Sequence, residues 1–89
     1  MEFIVEENRI YCEQDGKLLA EVTFPQRTDG TVEINHTFVD DALRGQGIAG
    51  QLMQGAADSI RRSGRKAVPT CSYAVKWFEK HPDDADILA

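Results

Sequence analysis

The sequence holds two cysteines, two histidines, three prolines and one tryptophan, and each shortage excludes something. Cys12 and Cys71 lie 59 positions apart with no Cys-x-x-Cys pair. Neither a disulfide framework nor a structural metal site is therefore expected, and both thiols read as free. No apolar run approaches the roughly 18 residues of a membrane span, and the start, Met1-Glu2-Phe3-Ile4, is acidic rather than signal-like. The chain reads as cytoplasmic, with no membrane partner. Basic residues are also few, ten against fifteen acidic for a net charge of −5. That balance argues against nucleic acid held by phosphate contacts.

What is present suits one small globular domain, residues 1–89. Hydrophobic residues make up 42% of the chain, enough for one modest core, since a domain of this size buries about 60–65% of its unfolded surface. The charge is unevenly spread. Residues 1–43 carry −7 and residues 44–89 carry +2, with the sign changing at Arg44.

Residues 3–39 read as an antiparallel meander. Phe3-Ile4-Val5 and Ile10-Tyr11-Cys12 flank a polar break at Glu7-Asn8. Gln14-Asp15-Gly16 is a turn, because Asp and Gly tolerate positive φ. Leu18, Ala20, Val22 and Phe24 then alternate with polar residues up to Pro25, and Thr28-Asp29-Gly30 turns the chain again. From Thr31 to Val39 the alternation predicts one strand, with Val32, Ile34, His36 and Phe38 on its apolar face.

Beyond Gly47 the period becomes helical. Ile48, Ala49, Leu52, Met53, Ala56, Ala57 and Ile60 form one apolar stripe, with Asp58 and Arg62 as an i,i+4 pair. Gly64 suits the helix end, with Arg61 and Arg62 in its last turn. Lys66-Ala67-Val68 predicts a short strand stopping at Pro69. Ser72 to Lys80 predicts a second, shorter helix with Val75 and Phe78 one turn apart, and Trp77 and Phe78 read as core rather than as a ligand platform. Pro82 and the acidic run Asp83 to Asp86 read as a tail. Arg61, Arg62, Arg65 and Lys66 read as a solvated basic cluster, with contact to a phosphate as the minor alternative.

Between meander and helix lies Asp40-Asp41-Ala42-Leu43-Arg44-Gly45-Gln46-Gly47-Ile48-Ala49-Gly50. Glycines opening a helix expose backbone N–H groups at the positive end of its dipole, which suits a phosphate anion. The plain alternative is a flexible turn with no ligand. A P-loop fails because Gln51-Leu52 stands where Lys-Ser/Thr is needed. A dinucleotide fingerprint is literally present at Gly45, Gly47 and Gly50, but it lacks the preceding strand contact and the later acid. Arg/Gln-x-x-Gly-x-Gly/Ala fits Arg44-Gly45-Gln46-Gly47-Ile48-Ala49 at every fixed position.

With His36-Thr37-x-Val39 before it and Cys71-Ser72-Tyr73 and His81-Pro82-Asp83 after it, this loop resembles the GNAT superfamily of N-acetyltransferases. The likeness is to its short, stand-alone branch and covers essentially the whole chain. It implies an α+β fold: antiparallel meander, long helix, short parallel-leaning strand, second short helix. It also implies acetyl-CoA or CoA as co-substrate, with no metal. The backbone of Gly45, Gln46, Gly47, Ile48, Ala49 and Gly50 would hold the pyrophosphate, and Arg44 would add charge or pin the loop. Phe38 and Val39 would hydrogen-bond the pantetheine arm in a gap between strands 32–39 and 66–69. Ser72 and Tyr73 would line the same path.

Two catalytic candidates follow. His36 is a core histidine on periodicity alone. The resemblance makes it a general base for the acceptor amine or for Cys71, since imidazole titrates near neutrality. Cys71 precedes a helix, whose dipole favours a nucleophilic thiolate; without the family pattern it is a small packing residue. Either it takes the acetyl group covalently, or an amine attacks the thioester directly and Cys71 assists. The acceptor is an amine, small molecule or protein, which the acidic half would bias towards cations. A CoA-sensing or protein-interaction module of the same fold is the alternative function.

Overall fold

The computed structural model describes residues 2–89; Met1, the first residue of the expected domain and of its acidic start, lies outside the described residues. Six strands and two helices follow in the order β1 (Ile4–Glu6), β2 (Arg9–Gln14), β3 (Lys17–Thr23), β4 (Val32–Ile34), β5 (His36–Val39), α1 (Ile48–Ser63), β6 (Ala67–Pro69) and α2 (Ser72–Lys80). β1, β2, β3 and β5 form an antiparallel sheet in that order, and β4 pairs in parallel with β6. The α+β order expected from the sequence is the one observed. No helix among the described residues is long and apolar enough to cross a membrane.

Local chemistry explains the hairpins. Asp15 and Gly16 take φ of 53° and 78° in succession, the two-residue left-handed turn whose twist matches its flanking strands. Asn8 at the β1–β2 turn donates from Nδ2 to the Phe24 carbonyl at 2.9 Å, tying that turn to the end of β3. Asp29 accepts from both the amide and the hydroxyl of Thr31, closing the turn before β4.

The inner face of the sheet and α1 make the core. Ile10, Cys12, Ala20 and Val22 meet Leu52, Met53, Ala56 and Ile60. Full burial of a Leu, Met or Ile side chain is worth about 1.5–3 kcal/mol each, so the helical stripe holds α1 to the sheet. Ala49 is only half-buried. A Cβ at Gly55 would come within 3.2 Å of Ile10 Cδ1, so a side chain there would need the Ile10 terminus to shift by a few tenths of an ångström.

Three expectations are corrected. The strand expected over 31–39 breaks at Asn35, whose amide donates to the Thr23 carbonyl and whose Oδ1 accepts from Thr23 Oγ1 at 2.6 Å. Before the break β4 pairs with β6; after it β5 pairs with β3. One residue out of alternation reverses every side chain beyond it. Ile34 therefore stays in the core, while His36 and Phe38 turn to the exposed face and Thr37 and Val39 turn inwards.

On α2 the packed residues are Ala74, Trp77 and Phe78, and Val75 is 39% exposed, because a helix repeat of 3.6 puts Ala74 rather than Val75 in line with Trp77 and Phe78. Asp58 pairs with Arg61 at 3.0 Å, an i,i+3 partner, in place of Arg62. The acidic stretch is no free tail. Pro82–Ile87 forms a 3-10 turn with Ile87 buried, and the Ala89 amide donates to the Ala67 carbonyl. Arg61 joins Asp58, Asp84 and Asp86 at once, so electrostatics and one apolar anchor dock what composition alone shows as solvated acid.

Candidate functional site

The glycine loop leaves β5 through a capped turn. Asp40 accepts from the Ala42 amide at 3.0 Å, and this bond, helped by Lys17 at 3.4 Å, holds its carboxyl below the usual carboxylate range. Asp41–Leu43 form one 3-10 turn, after which Arg44 folds back on Asp41 at 2.8 Å. Both side chains of this pair are exposed to solvent.

Gly45 and Gly47 then take φ of 82° and 72°, left-handed conformations in which a side chain is strained. Gly47 caps α1 without a side-chain hydrogen bond, and the first turn contains no acid. The Gln51 amide reaches the Gly47 carbonyl at 3.1 Å. The amides of Ile48, Ala49 and Gly50 precede that first closing bond and have no intrahelical acceptor. Three orphan donors at a positive dipole end favour an anion. Beside them lies a cavity of about 200 Å3 lined by Val39, Leu43, Arg44, Ile48, Ala49 and Tyr73 together with the loop glycines.

A strand edge faces this cavity. The Asp40 amide donates to the Leu19 carbonyl at 2.7 Å, one step beyond the Val39–Ala20 pair. Antiparallel hydrogen bonding alternates, so Phe38 and His36 bond inward to β3. The amides and carbonyls of Thr37 and Val39 point to the open edge of β5. Of the two residues expected to offer backbone to an extended ligand arm, Val39 has its amide and carbonyl at that edge, whereas those of Phe38 face β3 and Thr37 holds the other open position.

That open edge ends at a fork. The amides of Thr70 and Cys71 both donate to the Ile34 carbonyl, at 3.0 and 3.2 Å, where β4 and β6 are still paired. Beyond it β5 follows β3 and the other branch enters α2. Cys71 sits in the fork, partly buried, as the N-cap of α2. Its Sγ accepts from the Ala74 amide at 3.4 Å and lies 3.5 Å from Thr37 Oγ1. Tyr73 follows on the first turn of α2, its hydroxyl 3.9 Å from where a Gly50 Cβ would stand. Burial pushes its phenol above the ordinary value of 10.0, so the hydroxyl keeps its proton, a donor, at neutral pH.

The structure does not bring His36 to Cys71. His36 lies on the outer face of the sheet, its side chain 53% exposed, with Nε2 3.4 Å from Glu21 Oε1. The other Glu21 oxygen is held by Arg9, whose guanidinium covers the Tyr11 ring at 3.7 Å. Ser72 and Gln46 are exposed and line none of the cavities described here. Cys12 is core. The basic cluster stands at the other end of α1, about 24 Å of helix from Gly47, with Arg61 committed to aspartates and Lys66 to the Asp86 carbonyl.

Thr37 and Leu43 enter the site without a signal of their own. Thr37 could be placed only by knowing that the strand breaks at Asn35. A second, larger groove of about 530 Å3 continues from Gly47, Gly50 and Tyr73 along α2.

Comparison with known proteins agrees with this fold. The family model described as GCN5-related N-acetyl-transferase matches residues 9–87. Protein NATD1 of Xenopus tropicalis is 42% identical over 52 residues, 58% of this chain and 48% of that protein. Protein NATD1 of Homo sapiens is 41% identical over 51 residues, 57% of this chain and 45% of that protein. The matched region thus spans about half the length of these curated relatives. Among solved structures, a GCN5-like protein from Staphylococcus aureus is 29% identical with a TM-score of 0.80, covering 99% of this chain and 87% of that one. Diaminobutyrate acetyltransferase from Paenibacillus lautus, in complex with L-2,4-diaminobutyric acid and coenzyme A, shares the fold. Its TM-score is 0.68 at 16% identity, over 90% of this chain and 52% of that one.

Proposed function

We propose that this chain, which belongs to the GCN5-related N-acetyltransferase family, binds acetyl-CoA as one domain over residues 1–89 and transfers its acetyl group to an amine. The observation that carries the reading is the pairing of an uncapped helix start at Gly47 with the open edge of β5. The pyrophosphate takes the orphan amides from Ile48 to Gly50, and Arg44 keeps the loop in shape. The pantetheine arm lies along Thr37 and Val39 as an added strand. Those two contacts aim the thioester at the fork where Cys71 sits. The coenzyme in the Paenibacillus lautus relative supports the choice of ligand.

The fork allows two balanced routes. In one, Cys71 Sγ attacks the thioester carbonyl and the CoA thiolate leaves with a proton. An amine then takes the acetyl group from the cysteine, gives up its own proton, and restores the thiol. In the other, the amine nitrogen attacks the thioester directly and Cys71 only lines the fork. Tyr73, protonated and beside the path, supplies a donor to the leaving sulfur in both. Because it is turned outward, His36 is assigned one of its two expected roles. It serves the acceptor amine from the outer face of the sheet, beside Glu21, and leaves Cys71 to Thr37 and Ala74.

The two free thiols suit a reducing compartment such as the cytoplasm. The test of function is turnover: free CoA thiol followed with acetyl-CoA and a panel of polyamines, amino acids and lysine peptides. Amine-dependent release supports the reading. Binding of acetyl-CoA with no release for any amine would make the protein a CoA sensor instead.

A further inference from the structure

A groove of about 530 Å3 begins where the glycine loop ends. It shares Gly47, Gly50 and Tyr73 with the smaller cavity and runs between the first turns of α1 and the exposed side of α2. Its floor is Trp77, capped by the ring of His81 in a stack with centroids 4.0 Å apart and planes inclined by 14°. His81 Nδ1, 2.7 Å from the Trp77 carbonyl, fixes that ring. Lys76 and Lys80, one helical turn apart, stand along the same side.

Charge makes this groove unusual in its setting. The protein carries fifteen acidic residues and a net −5, yet no carboxylate lines the groove among the described residues. Neither lysine joins an ion pair among those residues, which is equally true of Arg27, Arg62, Arg65 and Lys66, but Lys76 and Lys80 both line this carboxylate-free groove. The neighbouring Asp84 is already engaged by Arg61 and by Gln54 Nε2. Two unpaired ammonium groups over an aromatic floor, continuous with an anion site, are the chemistry of a nucleotide bearing a second, separate phosphate.

We propose that Lys76 and Lys80 recognise the 3′-phosphate of the coenzyme's adenosine and make the protein selective for CoA over 3′-dephospho-CoA. This rests on the reading of the glycine loop as the pyrophosphate site. Lys76 and Lys80 lie about 5 and about 10 Å along α2 beyond Tyr73, a span that the ribose and base of one nucleotide bridge. The base meets the exposed ring of His81, which covers the buried Trp77, since aromatic rings stack bases without regard to sequence. Lysine binds phosphate as a mobile point charge. The sequence directs attention to Arg61, Arg62, Arg65 and Lys66 as the basic cluster, but those stand at the far end of α1.

Calorimetric titration of the full chain with CoA and with 3′-dephospho-CoA tests this. The wild type should bind CoA about tenfold more tightly, since the ammonium–phosphate pairs are half-exposed. Salt should narrow the gap. Lys76→Ala/Lys80→Ala should lose the preference while binding dephospho-CoA as the wild type does, which shows that its fold is intact. If the double variant loses dephospho-CoA too, Lys76→Gln and Lys80→Gln singly decide: a reduced preference in each supports the assignment, and an unchanged one overturns it. Equal wild-type affinity for the two ligands overturns the inference and leaves the pyrophosphate reading standing. Binding of neither ligand overturns the pyrophosphate reading itself.

Discussion

Thr37 Oγ1 lies 3.5 Å from Cys71 Sγ, a contact made across 34 residues of sequence at the point where two paired strands part. It exists because Asn35 breaks the strand and turns Thr37 inwards. With the Ala74 amide donating from the other side, the sulfur is held between a hydroxyl and a backbone N–H at the mouth of the fork. Intact-mass spectrometry after incubation with acetyl-CoA should show one acetyl adduct, absent in Cys71→Ala. A wild type with no adduct assigns the reaction to direct attack by the amine.

The opposite face yields a different prediction for His36. Its side chain points away from Cys71 and towards Glu21, so His36→Ala should leave the rate of any cysteine adduct unchanged. Transfer to the amine should slow by roughly 10²–10⁴-fold, the usual worth of a positioned general base. Adduct formation and amine transfer measured separately on the same variant make the check. Equal slowing of both would place His36 at the thiol after all.

The docked C-terminal segment has its own pH signature. Arg61 hydrogen-bonds Asp86 and holds that carboxyl below its ordinary value of 3.8. A carboxyl lowered in the folded state contributes stability that is present above the unfolded value. That contribution is lost as pH falls through the folded value. The melting temperature should therefore drop as pH falls below about 3.8, and Arg61→Ala should lower it at neutral pH while flattening the acid loss. Asp29 and Asp40, lowered by Thr31 and by the Ala42 amide, keep their share of the acid loss in that variant. Thermal melts of both proteins from neutral to acid pH decide it; parallel curves would show that Arg61 does not hold the segment.

Much of the fold was legible wherever a single period governed. The stripe from Ile48 to Ile60 marked α1, and Ser72 to Lys80 coincides with α2 because Pro69 and Pro82 bracket it. Asp15-Gly16 marked a hairpin because few residues accept its φ. The break at Asn35 was not legible: a two-residue alternation looks unbroken in sequence even where one residue is out of step in space. That single displacement moved His36 and Phe38 outwards and brought in Thr37. The docking of Asp84 and Asp86 was hidden for a related reason, since local composition does not reveal an arginine more than 20 residues away. The left-handed turns of the glycine loop were readable because they depend on local backbone geometry. The lysines of α2 were not, because only the packing of two helices sets them beside it.

Calorimetric titration of CoA into the wild type, Gly47→Asp and Gly64→Ala tests the central claim most directly. Both glycines sit at ends of α1 with φ of 72° and 75°, so each substitution carries a similar left-handed strain of about 1–2 kcal/mol. Only Gly47 adjoins the orphan amides. The expected result is saturable binding by the wild type, retained in Gly64→Ala and abolished in Gly47→Asp, where a carboxylate occupies the anion site. No heat and no thermal shift for the wild type with CoA or acetyl-CoA would contradict it.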